Sequence, residues 1–227
     1  ANAINTSIAE KLPLAGGTMT GDTAHGDNVK AKFGTGNDLE IFHDGSHSRI
    51  KDVGTGHLVI SGGEIHFNDS SNTSSHLVIN ADGIVTKPLQ PAFMATGVTT
   101  NNLAIATAGT TLAFSEVFDQ NSDFSSNTFT APVTGKYQLQ FGLRVDGIDT
   151  AAAWVRAVII TSNRQYKTMI IDPARFFSSD PDYGSFAMSV LADMDAGDTA
   201  VVTWGQSGGA ATADMKDDSH FSGYLVA

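Results

Sequence analysis

From Gly135 to Asp146 the chain reads Gly-Lys-Tyr-Gln-Leu-Gln-Phe-Gly-Leu-Arg-Val-Asp, with an apolar residue at every second position from Tyr137 onward. Successive side chains of a β-strand point to opposite faces, so this spacing puts Tyr137, Leu139, Phe141, Leu143 and Val145 on one face and Lys136, Gln138, Gln140 and Arg144 on the other. The segment is a half-buried antiparallel strand, and the rest of the chain must supply what covers it. Helical periodicity is confined to Asn2–Lys11, where Ile4, Ile8 and Leu12 recur at four-residue spacing, and to Pro173–Phe177. Further strands are expected at Pro91–Val98, Thr110–Phe114, Asn127–Ala131, Ala153–Thr161, Ser185–Ala192, Val201–Trp204 and Phe221–Val226. Ala153–Thr161 and Ser185–Ala192 carry apolar residues at both parities, as strands covered on two faces do. About eight strands with little helix make a two-sheet sandwich or jelly roll the economical fold.

The N-terminal part is written differently. Residues 33–87 hold short apolar runs, most of them closed by an acidic or amide residue and Gly: Asp38–Gly45, His57–Gly63 and His76–Gly83, with Glu64–Asp69 between the last two. Each reads as about five residues of strand ended by a turn whose Gly accepts positive φ. Strands this short cannot bury a face within one chain, so stability must come from stacked repeats or neighbouring chains. Lys87-Pro88-Leu89-Gln90-Pro91 carries two prolines and is expected as a hinge. The resulting organisation is a leader or shaft connection over 1–32, a repetitive β module over 33–87 and a globular head over 88–227.

Composition narrows the function. Among 227 residues, Lys and Arg number 13 against 24 Asp and Glu, a net charge of −11 that repels polyanions, so nucleic acid is not an expected partner. The absence of Cys excludes disulfides, thiolate metal sites and cysteine nucleophiles. No apolar run approaches the roughly 18 residues that a membrane-spanning helix needs, so membrane insertion is not expected. There is no Gly-x-Ser-x-Gly elbow, no phosphate-binding loop and no His-Glu-x-x-His pair. Asp44, Ser46 and His47 are adjacent without triad geometry. Asp180 and Asp182 could pair as glycosidase carboxylates, but in an Asp-rich loop they read as solvated charge. The chain is expected not to be an enzyme.

Two resemblances follow from particular residues. Lys11-Leu12-Pro13-Leu14-Ala15-Gly16-Gly17-Thr18-Met19-Thr20-Gly21-Asp22 and the run from Phe33 to Gly63 are similar to segments recurrent in bacteriophage tail-fibre proteins. This likeness, covering about residues 11–86, implies an N-terminal intertwined trimeric β shaft with short repeats; the missing initial Met suggests a piece of a longer fibre. In the C-terminal part, Pro91-Ala92-Phe93, Val117-Phe118-Asp119, Phe129 to Tyr137, Gly197-Asp198 before Val201-Val202, and Phe221-Ser222-Gly223-Tyr224-Leu225 resemble the globular heads of the C1q and tumour-necrosis-factor superfamily, in the order and spacing of that family. This implies a ten-stranded C1q/TNF-like jelly-roll sandwich assembling as a homotrimer, within an all-β chain. Three copies would carry 3 × −11 = −33 charges, which favours solubility and leaves adhesion to a local site.

The reading is therefore a phage tail-fibre tip, a virion receptor-binding protein attaching to a host cell-surface glycan or protein by repeated weak contacts, with the rest of the fibre as its other partner. Two alternatives are a structural virion fibre or trimerisation cap without a receptor site, and a secreted glycan-binding lectin. In the jelly roll that the resemblance implies, Asp146–Ala152, Asp172–Gly184 and Gln206–Asp218 lie at the free end. The candidate receptor residues there are Asp146, Asp149, Arg175, Phe176, Phe177, Asp182, Tyr183, Asp214 and Lys216. Exposed aromatics beside Arg have the composition of recognition and sugar-stacking surfaces, whereas Phe176 and Phe177 could equally anchor a strand end in the core. No cofactor is required. Candidate ions are a transition metal on a threefold axis at His43 or His66, although the His-x-His pair of some phage fibres is absent, and calcium at Asp214, Asp217 and Asp218.

Overall fold

The computed structural model describes residues 17–227, and the helix expected over Asn2–Lys11 lies outside the described residues. The chain divides into two compact units that meet at Gly62 and Gly63.

The first unit holds β1 (Ala31–Phe33), β2 (Leu39–His43) and β3 (Ser48–Asp52), an antiparallel meander in that order. Ala31 lies opposite Ile41 and Ile41 opposite Ile50, so the middle row of one face is apolar, between a Phe33–Leu39–Asp52 row and a His43–Ser48 pair. Ile41, Ile50 and Phe33 on that face are all exposed. On the other face Glu40 accepts from Lys30 Nζ at 2.8 Å and lies 3.8 Å from Lys32 Nζ, and Lys30 stands 4.8 Å over the Phe42 ring. The turn after β2 is closed by Asp44, which accepts from the backbone N–H groups of Ser46 and His47 and pairs with Arg49.

His57–Gly63 does not form the strand expected of it. Residues 57–62 make no ladder with any other described segment.

The second unit opens with β4 (Ile65–Asn68), β5 (Ser75–Ile79) and β6 (Val85–Thr86), again antiparallel and in that order. Asp69 folds the β4–β5 connection by accepting from the Thr73 N–H and hydroxyl. Asn80 Oδ1 accepts from Asp82 and Ile84 N–H, and Gly83 at φ 78° completes the turn into β6.

The head is a sandwich. Its strands are β7 (Ala92–Gly97), β8 (Thr100–Ala104), β9 (Thr110–Thr111), β10 (Phe114–Asp119), β11 (Phe124–Ser125), β12 (Thr128–Thr130), β13 (Gly135–Asp146), β14 (Ala152–Thr161) and β15 (Gln165–Ile171). The short helix α1 (Pro173–Phe176) follows, then β16 (Tyr183–Met194), β17 (Thr199–Gly208), β18 (Thr212–Met215) and β19 (His220–Leu225). One sheet runs β10-β7-β19-β13, with β16 along the other edge of β13 and β18 and β8 continuing at its far end. The second runs β11-β12-β17-β14-β15, with β9 beside β17. The strand expected over Thr110–Phe114 is broken: Thr110 and Thr111 pair with β17, while Phe114 begins β10 in the opposite sheet. Such a change of sheet partner is not encoded in local alternation.

Between the sheets lies the core that the sequence pattern marked. Tyr137, Leu139, Phe141, Leu143 and Val145 are all buried. Phe93 stacks on Phe124 and Phe129 at 5.0 and 4.7 Å and meets Phe221 edge-on at 5.0 Å. The Tyr137 hydroxyl donates to Val133 O at 2.7 Å, so the largest side chain of that face is buried with its polar end satisfied. Lys87–Pro91, expected as a hinge, is bound to the head: Gln120 Nε2 donates to Lys87 O and Pro88 O, Asn121 Nδ2 to Leu89 O, and Gln90 Nε2 to Leu225 O.

The outward face of the β7-β19-β13-β16 sheet is unusual for a chain this acidic. Registered across the strands are the rows Met94–Ser222–Gln140–Ser189, Ala92–Tyr224–Gln138–Leu191 and Thr96–His220–Gly142–Ala187. None contains Asp, Glu, Lys or Arg. Tyr224 and Leu191 are exposed, and Gln138 and Gln140 donate to Ser189 and Ser222 at 2.6 and 3.2 Å.

Candidate functional site

Strand β13 is long enough to carry residues from the base of the head to its far end, and its last residues organise a charged cluster there. Asp146 stands opposite Tyr183 of β16 on one side and Asp214 of β18 on the other. Three candidates separated by up to 68 positions in sequence are thus one row across three strands. Lys216 Nζ lies 3.4 Å from Asp214, 3.6 Å from Asp146 and 3.2 Å from Asn101 Oδ1. Arg144 donates to Asp146 through Nε and Nη2 at 3.1 and 3.3 Å and to Asp218 through Nη1 at 3.1 Å.

The hydrogen bonds to Asp218 and Asp146 push the Arg144 guanidinium still further above its ordinary pKa, so its charge is fixed at every working pH. That guanidinium lies 5.4 Å from the Tyr183 ring, whose residue is 64% exposed. A planar cation held beside an exposed phenol, with carboxylates around it, offers a stacking surface and several hydrogen-bonding groups to a polar ligand.

Next to this cluster the surface dips. Gly142, Arg144, Ser185, Ala187, Asp218 and His220 line a concavity of about 280 Å³. Gly142 is required here: a Cβ would lie 2.4 Å from His220 Cε1, so any side chain would displace the imidazole that rests on the strand. A larger cleft of about 560 Å³ lies at the opposite end of the head, lined among others by His76, Lys87, Asn121, Asp123 and Val133. Burial, and then the neighbouring Asp119 carboxylate, push the Asp123 carboxyl above its ordinary range.

The remaining candidates do not bond into the Tyr183 row through their side chains, although Asp182 precedes Tyr183 and accepts from Gly147 N–H through its carbonyl. Asp149 is used inside the loops, accepting from Ala151 N–H at 2.7 Å and from Ala210 N–H at 2.5 Å. Asp180, considered above as a paired carboxylate with Asp182, accepts from the Thr150 N–H and hydroxyl, which lowers its pKa. Asp149 and Asp180 therefore tie the 147–152 segment to the 208–210 and 178–182 segments. Asp182 and Asp217 are exposed. Arg175 is largely exposed and lies 3.5 Å from Asp172. Phe176 is exposed on α1 and Phe177 partly buried.

His43 Nδ1 lies 3.3 Å from Ser48 Oγ, and His66 lies between Ser75 Oγ at 3.1 Å and Glu64 at 3.0 Å. Among the described residues of one chain, no group of three His, Asp or Glu side chains is arranged to hold a metal ion. Sequence reasoning passed over Arg144, Asn101 and His220. Arg144 was legible as the polar-parity neighbour of Asp146, whereas Asn101 is brought in by the β8–β18 pairing, which has no local signature.

No curated protein matches the chain. Among solved structures, the globular domain of zebrafish complement 1qA is similar at 18% identity, covering 61% of this chain and 98% of that one, with a TM-score of 0.45. Murine APRIL is similar at 12% identity, covering 60% and 99%, also with a TM-score of 0.45. The family model for the C1q domain matches residues 92–226, from the first residue of β7 to one residue past β19. Through this head, the chain belongs to the C1q domain family.

Proposed function

We propose that the chain is a homotrimeric, non-catalytic adhesive tip, the distal part of a fibre of the kind that bacteriophages carry on their tails, recognising a glycan or protein on a host cell surface. Proteins with C1q domains often form trimers and bind ligands. The observation that carries the reading here is the set of three uncharged rows across the outer face of the β7-β19-β13-β16 sheet, bounded by Lys136 and Asp193 at one end and Arg144 at the other, in a chain whose net charge of −11 would otherwise keep copies apart. Exposed Leu191, Tyr224 and Phe118 on or beside that face are apolar area that a second and third copy would remove from water.

The exposed apolar row of β1–β3 favours a fibre over a free head, since a sheet of that size is marginal until something covers it. The tail-fibre likeness of residues 11–86 supports the same reading. Recognition is assigned to the Tyr183, Arg144, Asp146 row at the far end of β13, where loops held by Asp149 and Asp180 form a rigid rim.

The first test is the mass in solution, by sedimentation or light scattering, of the full chain. A value three times the 23.8 kDa of one chain is expected, and a single-chain mass at micromolar concentration overturns the proposal. Adsorption to host cells, set beside a glycan array, separates the fibre from a secreted glycan-binding lectin. Cell binding lost with Tyr183→Ala and retained in the native trimer supports the tip. Array binding without cell adsorption supports the lectin.

A further inference from the structure

The chain writes nearly one phrase twice, His57-Leu58-Val59-Ile60-Ser61 and His76-Leu77-Val78-Ile79-Asn80, and the two copies have different fates. The second supplies most of β5, the middle strand of its sheet, with Ile79 opposite Ile65 on one side and Val85 on the other. The first has no ladder on either side. Leu58, Val59 and Ile60 are 46, 76 and 58% exposed, and residues 55–63 make no hydrogen bond among the described residues.

Turn chemistry explains the difference. The second copy is preceded by the Asp69 turn and followed by the Asn80–Gly83 turn, which return the chain along both of its edges. The first copy is preceded by a bend at Gly54-Thr55-Gly56, where Asp52 Oδ1 accepts from Gly54 N–H without returning the chain along its edge, and is followed by Gly62-Gly63, which no side chain closes into a turn. Three consecutive aliphatic residues, two of them β-branched, favour a pleated strand and are poorly placed in water. Their backbone groups remain free to pair with another strand.

We infer that residues 57–61 are a strand completed by a second copy of this chain, pairing edge to edge with a neighbouring subunit. This rests on the trimer proposed above and adds to it which segment crosses between subunits. Charge favours the same occupant. From Thr55 to Gly63 there is no Asp, Glu, Lys or Arg, so identical acidic chains can approach there without like-charge repulsion. The precedent is within the chain itself, since the same apolar phrase is a fully paired middle strand wherever partners are at hand.

The experiment is amide hydrogen exchange on the full chain, run beside a mass measurement, for the unaltered protein and for Val59→Pro. Proline removes one N–H and cannot join a central ladder, and it breaks no bond that a single chain makes. The expected result is a trimer in which amides 57–61 exchange about a hundredfold more slowly than the flanking Gly54–Gly56 segment. Val59→Pro should keep the trimeric mass through the head and lose that protection. A trimer whose 57–61 amides exchange as fast as the flanking glycines overturns this inference while leaving the trimer standing. A single-chain mass overturns both, and protection that survives Val59→Pro assigns the slow exchange to something other than strand pairing.

Discussion

Ile41 in β2 and Phe93 in β7 are both apolar residues of antiparallel strands paired along two edges, Ile41 with Ala31 and Ile50 and Phe93 with Asp119 and Gly223. Phe93 is 1% exposed, packed between sheets against three other phenylalanines, while Ile41 is 43% exposed. The head closes its strands into two layers, so each buried face covers the other. Among the described residues the sheets before it are three-stranded meanders whose turns are closed by the side chains of Asp44, Asp69 and Asn80. Alternation along the strands is therefore alike in both regions, and what separates them among the described residues is whether a second sheet lies over the apolar side chains.

That contrast is open to direct attack. The largest expected effect is in the head: Phe93→Ala removes the ring at the centre of the aromatic cluster and should cost about 3–5 kcal/mol in denaturant unfolding. Next, Leu191→Asp places three like charges among the uncharged rows of the outer face in an assembled trimer. The expected outcome is dissociation seen as a fall in mass, and an unchanged mass would move the interface to another face. Ile41→Ala sharpens the difference between regions. In a single chain an exposed site of this kind changes stability by no more than about 0.5 kcal/mol, so a loss above about 1 kcal/mol in the native protein would show that neighbours cover it.

At the recognition row, Tyr183→Ala should weaken ligand or cell binding about tenfold, as loss of one exposed aromatic contact does, with mass and melting unchanged. The smallest effect is on acidification. Arg49 and the N–H groups of His47 and Ser46 hold Asp44 at a pKa of about 2, and the Thr73 N–H and hydroxyl do the same for Asp69, against 3.8 for an ordinary Asp. A lowered pKa in the folded state makes the unfolded state take up the proton first. This contribution is present above about pH 4 and is lost as the pH falls toward 2. Asp123 runs the other way, because its raised pKa makes the folded head bind the proton more tightly and gain from acidification. Amide exchange between pH 5 and 2 should therefore loosen the turns at 44–49 and 69–74 before the head, and the reverse order would contradict the assignment.

The long strands of the head were legible because period-two alternation is strong over ten or more residues, as in β13, where each residue marked apolar is buried. The short helix at Pro173–Phe176 was legible from its leading proline. What escaped was partner choice. His57–Gly63 and His76–Gly83 carry similar apolar phrases, and only the Asx turns around the second decide that it pairs within the chain. Likewise Thr110–Phe114 reads as one strand, yet it crosses between sheets after Thr111. The candidate row is half visible in the sequence: Asp146, Tyr183, Asp214 and Lys216 stand out from loop composition. Their alignment depends on β16 and β18 both pairing with β13, and Arg144 joins them only through that geometry.

The first strand of the head has a mechanical consequence. Strand β7 begins just after Pro91 and is bonded along both edges, to β10 on one side and β19 on the other, with Leu225 N–H donating back to Pro91 O at the base. A pull transmitted to the head through Pro91 acts along the axis of this strand. Both ladders are then loaded in shear, so their bonds resist together instead of opening one by one like a zipper. A domain tethered this way tolerates tugging at its anchor far better than one hung from a peripheral hairpin.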